Sequence, residues 1–370
     1  MQWKKWKILI GLLLGLSLVV TLARPVHRLA RPVRPIGGGL NLVVELRPQG
    51  QVKLKRSTWP DYQPAFIGAS LAATDQLLLA SNTFAKVLCQ NLMPWEPEGG
   101  RDYIVSEGCP PTSTPKLLES DEDTVIERAT NNPDIPYILR PRDSFVLNQQ
   151  PLLRWHDVEG ANTYQVRVIG PGVKWTQETS ATEIVYSGKQ SLQPEARYWL
   201  IVKTDQGKSS KQEGSFGFTI LDQEKAQEVW AAAEEIKQKQ LSKPAEALAL
   251  AHLYRSNDLN AEAIDLLETA LADGPESIRV YQLLGEIYQH VGLNRLARER
   301  YRQALELAKA AGDLDTQAQV IGGLAVTSAI IGQKDEAIAW LEKGKEVYQT
   351  LGDQVKAGQL EQQMVKILGG

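Results

Sequence analysis

Two hydrophobic periods divide the chain near residue 222. Before it, apolar and polar positions alternate in short runs. Val52 and Leu54 alternate with Lys53 and Lys55, and Tyr164, Val166 and Val168 with Gln165 and Arg167; Tyr198, Leu200 and Val202 repeat the arrangement. A period of two is that of strands with one face in a core and one in water. Turn signals at Gln149-Gln150-Pro151, Glu159-Gly160, Gly170-Pro171-Gly172, Ser187-Gly188 and Gln206-Gly207 cut residues 137–221 into the strands of a sandwich. Beyond Asp222 the composition turns to Ala, Glu, Lys, Leu and Gln, and the spacing becomes three and four: Tyr281, Leu284, Gly285, Tyr288, then Ala297, Tyr301, Ala304. These positions predict two amphipathic helices joined at Val291-Gly292, with the bulky residues as knobs and Gly285, Ala297 and Ala304 as the holes that receive them.

The helical pattern repeats. Gly292 and Ala297 match Asp258 and Ala263 upstream at an offset of 34, and Gly332 and Ala337 downstream at an offset of 40. Residues 244–350 thereby resemble three tetratricopeptide repeats, the third degenerate because Ser328 replaces an aromatic residue. The resemblance implies an all-α solenoid in which each hairpin buries its face on the next, with 222–241 and 353–368 as flanking helices. It also implies a concave peptide-binding groove. The family's groove positions fall here on Ala245, Leu248, His252 and Arg255; Arg279, Gln282, Glu286 and Gln289; and Gln319, Gly322, Val326 and Ala329. Two arginines and several amides suit a peptide held through its backbone and a carboxylate.

Two further resemblances cover the strands. In residues 40–107, Gly50, Val52, Arg56, Gly68, Leu71 and Asp75 resemble a FecR-like domain, a small extracytoplasmic β module, with Thr74 where the family has its second glycine. In 137–221, Leu192-x-Pro194-x-x-x-Tyr198 and Trp155 resemble the tyrosine corner and core tryptophan of a fibronectin type III sandwich, which implies an adhesive or spacer module. Residues 108–136, with five prolines and an acidic cluster at Glu119–Asp123, read as a linker.

Charge changes the picture at the N-terminus. Residues 1–56 carry eleven Lys and Arg against the single acid Glu45, a local +10, while the whole chain is −3. The basic residues flank an uncharged run, Ile8 to Ala23, of 16 residues. It reads as a transmembrane anchor, with a cleaved signal peptide as the alternative, and residues 24–39 as a stalk rich in Pro, Arg and Gly. The expectation is a multidomain chain: N-terminal transmembrane or signal helix, two all-β modules, then the all-α array. Its soluble part is expected outside the cytoplasm, in a periplasm-like compartment. Arg24, Arg28, Arg31 and Arg34 beyond the run compete with the N-terminal lysines for the inside, so the opposite topology stays open.

Candidate chemistry is sparse. The sequence offers no catalytic motif, no phosphate loop, no metal-ligand spacing and no cofactor signature, so the chain is expected not to be an enzyme. Cys89 and Cys109 suit one disulfide in an oxidising compartment, with two unlinked thiols as the alternative. Nucleic acid is excluded by the acidic repeats, which leaves a protein or peptide partner, and the membrane through the N-terminal helix. A second reading makes the β modules a cell-envelope polysaccharide-binding accessory or enzyme component, with Trp59, Trp95 and Trp175 as sugar-stacking platforms.

Overall fold

The computed structural model describes residues 39–48, 50–118, 131–274 and 276–369. The membrane or signal segment, all of the stalk but Gly39, and the acidic cluster lie outside the described residues. Among the described residues, no helix is long and apolar enough to cross a membrane.

The first β module pairs its strands antiparallel in two four-stranded sheets. One has the order β4 (Ser70–Leu71), β1 (Asn41–Arg47), β6 (Phe84–Leu88), β7 (Pro94–Trp95), and the other β3 (Gln63–Pro64), β2 (Lys53–Lys55), β5 (Gln76–Leu78), β8 (Asp102–Ile104). A one-turn helix, α1 (Val105–Gly108), follows, and Cys109 bonds to Cys89 across a Cα–Cα distance of 5.2 Å. Strand β1 is buried on both faces. Val43 and Leu46 enter the module's own core with Val52, Leu54, Leu71 and Val87, whereas Leu42 and Val44, with Leu88 of β6, pack against helices. A bulge between Val43 and Glu45 puts Val43 and Leu46 on one face despite their odd spacing.

The second β module is a sandwich. Strands β9 (Ile138–Arg140), β11 (Leu152–Trp155) and β14 (Glu183–Val185) form a three-stranded sheet with β11 in the middle. The five-stranded sheet has the order β10 (Ser144–Val146), β16 (Gly217–Ile220), β15 (Arg197–Thr204), β12 (Tyr164–Gly170), β13 (Val173–Thr179), and β10 runs parallel to β16. Tyr164, Val166, Val168, Tyr198, Leu200 and Val202 all point into the core around Trp155, as their alternation predicts. The Tyr198 hydroxyl accepts from the Gln193 amide at 2.8 Å, so the phenol ties back to the upstream backbone.

Eight helices follow among the described residues: α2 (Gln223–Gln238), α3 (Lys243–Arg255), α4 (Asn260–Asp273), α5 (Ile278–His290), α6 (Asn294–Ala311), α7 (Leu314–Ile330), α8 (Lys334–Thr350) and α9 (Gln354–Gly369). Helices α3 to α8 are three hairpins. Their turns place Asp258, Gly292 and Gly332 at φ +54°, +76° and +86°, the left-handed conformation that closes a helix tightly. Gly352 has the same conformation at +74° before α9, so the hairpin geometry recurs a fourth time. The 40-residue offset is absorbed by length, α6 to α8 having 17 or 18 residues against 13 or 14 in α3 to α5. Ala297 and Ala304 are fully buried. A Cβ on Gly285 would lie 2.8 Å from the Tyr301 ring and one on Gly323 2.4 Å from it, so this knob fills holes on two helices.

The β modules do not stand ahead of the array as separate spacers, and this corrects the spacer expectation for them. All described residues belong to one compact unit. The reason is apolar: the outer face of β1 and β6 shares a core with Leu248, Leu283 and Leu284 of the helices. The sandwich is tied to the array by polar contacts. Fully buried Arg142 stacks on Phe216, pairs with Glu213 at 2.9 Å and donates to the Val291 carbonyl at 2.7 Å. Arg154 pairs with Glu268 of α4 at 3.0 Å, and the Phe145 amide donates to the Asp258 carbonyl at 2.9 Å. The segment read as a linker is fixed at both ends. The Leu117 carbonyl accepts from the Leu40 amide at 3.0 Å, and Asn131 donates to the Gly292 carbonyl at 3.0 Å.

Candidate functional site

The concave face of the array is built by α3, α5 and α7. Five of its expected groove residues, Arg255, Arg279, Gln282, Glu286 and Gln319, form one polar ladder across the helices. Arg255 of α3 pairs with Glu286 of α5 at 2.8 Å, and Glu286 accepts from Gln282 at 2.9 Å. Gln282 also donates to Gln319 of α7 at 2.6 Å, whose own amide donates to Asp315 at 2.8 Å. Arg279 reaches Asp313 at 3.4 Å and Asp315 at 3.3 Å. Helical spacing explains the assembly, because 279, 282, 286 and 289 share one face of α5, and 315, 319, 322 and 326 share one face of α7.

The ladder ends in the first β module. Arg56 donates to Asp315 at 2.7 Å with one nitrogen, and with the other to Asp75 and the Ser70 carbonyl, each at 2.6 Å. Thr58 donates to Asp353 at 2.6 Å, and Pro60 meets Gly352. Gly68 sits on the groove floor: a Cβ there would come within 2.7 Å of both Arg279 Cβ and Leu248 Cδ1. Its φ of +86° and this approach together explain the glycine.

Electrostatics hold the junction ionised. Burial pushes the Asp315 carboxyl up, but the Arg56 and Arg279 guanidinium charges outweigh it and hold the group below its ordinary value. Burial likewise works against charge on Arg56, and Asp315 and Asp75 together keep it above the ordinary arginine value.

The concave face is therefore covered over part of its length. Arg279, Gln282 and His252 are buried, and so are Ala245 and Leu248. His252 is pushed down to about 4, first by burial and then by the Arg255 charge, so it is neutral at physiological pH. The open stretch lies toward the C-terminal ends of α5 and α7, where Glu286, Gln289, Gly322, Val326 and Ala329 are half-buried. A Cβ on Gly322 would meet nothing within 4 Å, so this floor is unfilled. Gln289 accepts from the Tyr301 hydroxyl at 3.0 Å.

The tryptophans expected as sugar platforms are held within the protein to different degrees, Trp59 buried and Trp95 and Trp175 half-buried. Trp59 is buried beneath Arg56. Trp95 meets Tyr103 edge-on and lies so close to Gly108 that a Cβ there would fall 2.0 Å from its ring, and Trp175 meets Tyr186 edge-on. Among the described residues, no group of three or more His, Cys, Asp or Glu is placed to hold a metal ion.

That Arg56 and β1 belong to the groove is not announced by the repeat pattern. A signal existed in Leu40 to Leu46, an apolar run broken by Asn41 and Glu45, since strands buried on both faces read as runs and not as alternations.

Residues 276–350 match the family model of the tetratricopeptide repeat, which covers the second and third hairpins. A search of curated proteins gives no match. Among solved structures the chain is similar to the crystal structure of BtubC (BKLC) from P. vanneervenii, at 18% identity over 38% of this chain and 63% of that one, with a TM-score of 0.33. It thus spans less than two thirds of that protein. It is also similar to a putative kinesin light chain from Podosopora anserina with nearly identical TPR-like repeats, at 22% identity over 38% of this chain and 87% of that one, with a TM-score of 0.28.

Proposed function

We propose that this chain is a non-enzymatic scaffold that binds a partner protein through the uncovered stretch of its concave face. Tetratricopeptide repeats mediate protein–protein interaction, and residues 276–350 carry them. The observation that supports this surface is the unfilled floor between Gln289, Gly322 and Val326, beside a ladder whose Glu286 and Gln319 stay half-buried. An extended segment lying there meets backbone-matching amides and one carboxylate. The covered part of the groove is occupied by the chain's own β module, which fixes the open part in place.

The finer identity of the modules belongs to the same reading. The Arg56–Asp75 pair and the left-handed Gly68 support a FecR-like first module. The Tyr198 hydroxyl on the Gln193 amide and the buried Trp155 support a fibronectin-like sandwich. The run from Ile8 to Ala23 supports attachment to a membrane, with the body on the exported side, where the Cys89–Cys109 bond persists. Reporter fusions at residue 40 and at the C-terminus decide the topology.

Site-specific photo-crosslinking in intact cells tests the binding surface. A crosslinking side chain at Val326 or Gln289 is expected to trap one discrete partner band, while the same group at exposed Thr176 on the sandwich traps none. Equal products at all three positions, or none at Val326 and Gln289, overturn the proposal.

A further inference from the structure

On the side of the molecule built by the sandwich and α2, a cleft of about 590 Å³ opens between the β10–β11 turn, the loop after β14 and the first half of α2. That volume lies within the range of small-molecule sites. Its walls are held in place. The Leu147 amide donates to Glu262 at 2.7 Å, and Gln150 closes its turn by donating its amide to Asn148 Oδ1 at 2.8 Å. Buried Tyr186 donates its hydroxyl to the Gln190 carbonyl at 2.8 Å, and Gly188 lies so close over that hydroxyl that a Cβ would fall 2.2 Å from it. The loop is therefore pinned to the ring beneath it.

The chemistry of the lining is selective. The residues that line it include no Asp, Glu, Lys or Arg, although 23% of the chain is charged. Its polar groups are amides and a hydroxyl, from Asn148, Gln149, Gln150, Gln190 and Ser191. The side-chain amides of Gln149, Gln150 and Gln190 are exposed and make no hydrogen bond among the described residues. Trp230 completes the wall. It is 50% exposed on a helix whose neighbouring residues Ala226, Val229 and Ala233 are sealed in the core.

We propose that this cleft binds a neutral saccharide, with Trp230 as the platform and the Gln149, Gln150 and Gln190 amides as the hydroxyl-reading groups. A pyranose offers what such a site matches: a face of C–H groups that packs on an indole, and a rim of hydroxyls that both donate and accept, as an amide does. An anionic ligand finds no counter-ion in the lining and meets a protein whose residues 57–370 sum to −13. The site is distinct from the concave face and uses none of the tryptophans first expected to bind sugar.

Isothermal titration of the intact protein tests the proposal. Cellohexaose, xylohexaose and maltohexaose are the neutral probes, and an oligogalacturonate is the anionic one. At least one neutral probe is expected to bind saturably and the uronate not to bind. Trp230→Ala is expected to weaken that binding about tenfold or more, as removal of a central aromatic contact does. Trp230→Phe is expected to restore most of it, and Gln150→Ala to weaken it several-fold. Because Trp230 is half-exposed, Trp230→Ala should melt with the parent and leave photo-crosslinking at Val326 unchanged; Trp230→Phe and Gln150→Ala keep the test intact if it does not. No saturable binding of any neutral probe, equal binding by Trp230→Ala, or a uronate bound as tightly as the neutral probes overturns the proposal.

Discussion

The Arg56 guanidinium meets the Asp315 carboxylate at 2.7 Å, joining two residues 259 positions apart in the chain. Both side chains are largely shielded, at 17% and 11% exposure. Removing one partner from such a pair leaves the other charge desolvated and unmatched, which costs more than the pair itself contributes. Arg56→Ala is therefore expected to destabilise the protein by about 2–4 kcal/mol. Arg56→Lys should recover only part of this, since one ammonium cannot reproduce the fork that spans Asp75 and Asp315. Denaturant unfolding measures both. The acid side follows in sign: Asp315 has its folded pKa depressed, so its contribution is complete above the unfolded carboxylate value and is lost as pH falls through the folded one. The deficit of Arg56→Ala should accordingly shrink in strong acid.

Gly68 and Gly50 make a matched test of the module junction. Both have positive φ, at +86° and +80°, but a Cβ meets Arg279 and Leu248 at the first and nothing within 4 Å at the second. Gly50→Ala is expected to cost only backbone strain, about 1 kcal/mol. Gly68→Ala adds overpacking of about 1–3 kcal/mol. Equal melting of the two variants would mean that the module does not sit on the groove floor.

Ala297→Trp and Arg279→Ala are both expected to lower the melting temperature, for different reasons. Ala297 is fully buried between helices, and a large side chain there overpacks the second hairpin at a cost of about 1–3 kcal/mol. A groove arginine facing solvent would be removable without loss. Arg279 is 5% exposed and faces Asp313 and Asp315, so its removal should cost about 2–4 kcal/mol. Thermal unfolding of Arg279→Ala that matches the parent would restore the open groove.

Glu262 sets a pH dependence of opposite sign. Its Oε1 accepts from Leu147, its Oε2 is buried without a partner, and burial pushes the carboxyl up to about 7. The folded state holds this proton more tightly than the unfolded chain does, so stability falls as pH rises from the ordinary glutamate value through about 7. Glu262→Gln keeps an acceptor for Leu147 and removes the titration. Unfolding at pH 5 and pH 8 should show the parent losing roughly 1–3 kcal/mol across that interval through this group and the variant losing less. Parallel profiles would refute the assignment.

The sequence alone determined the elements whose physics is local. A period of two placed Tyr164, Val166 and Val168 inside a sandwich, and a period near 3.6 with left-handed turns at Asp258, Gly292 and Gly332 produced the hairpins. Gly285 and Ala297 were readable as holes because small residues recurring at fixed offsets from bulky ones mark where two helices approach most closely. What surrounds the concave face was decided only by tertiary structure. Arg279 and Gln289 lie on the same face of α5, yet one is sealed and the other half-buried, because the first β module covers the N-terminal ends of α5 and α7. Nothing near Arg279 in sequence announces that cover. The contact rests on Leu42, Val44, Arg56 and Gly68, more than 200 residues upstream, and the free energy that brings them together is burial of a second strand face, which has no period of its own to read.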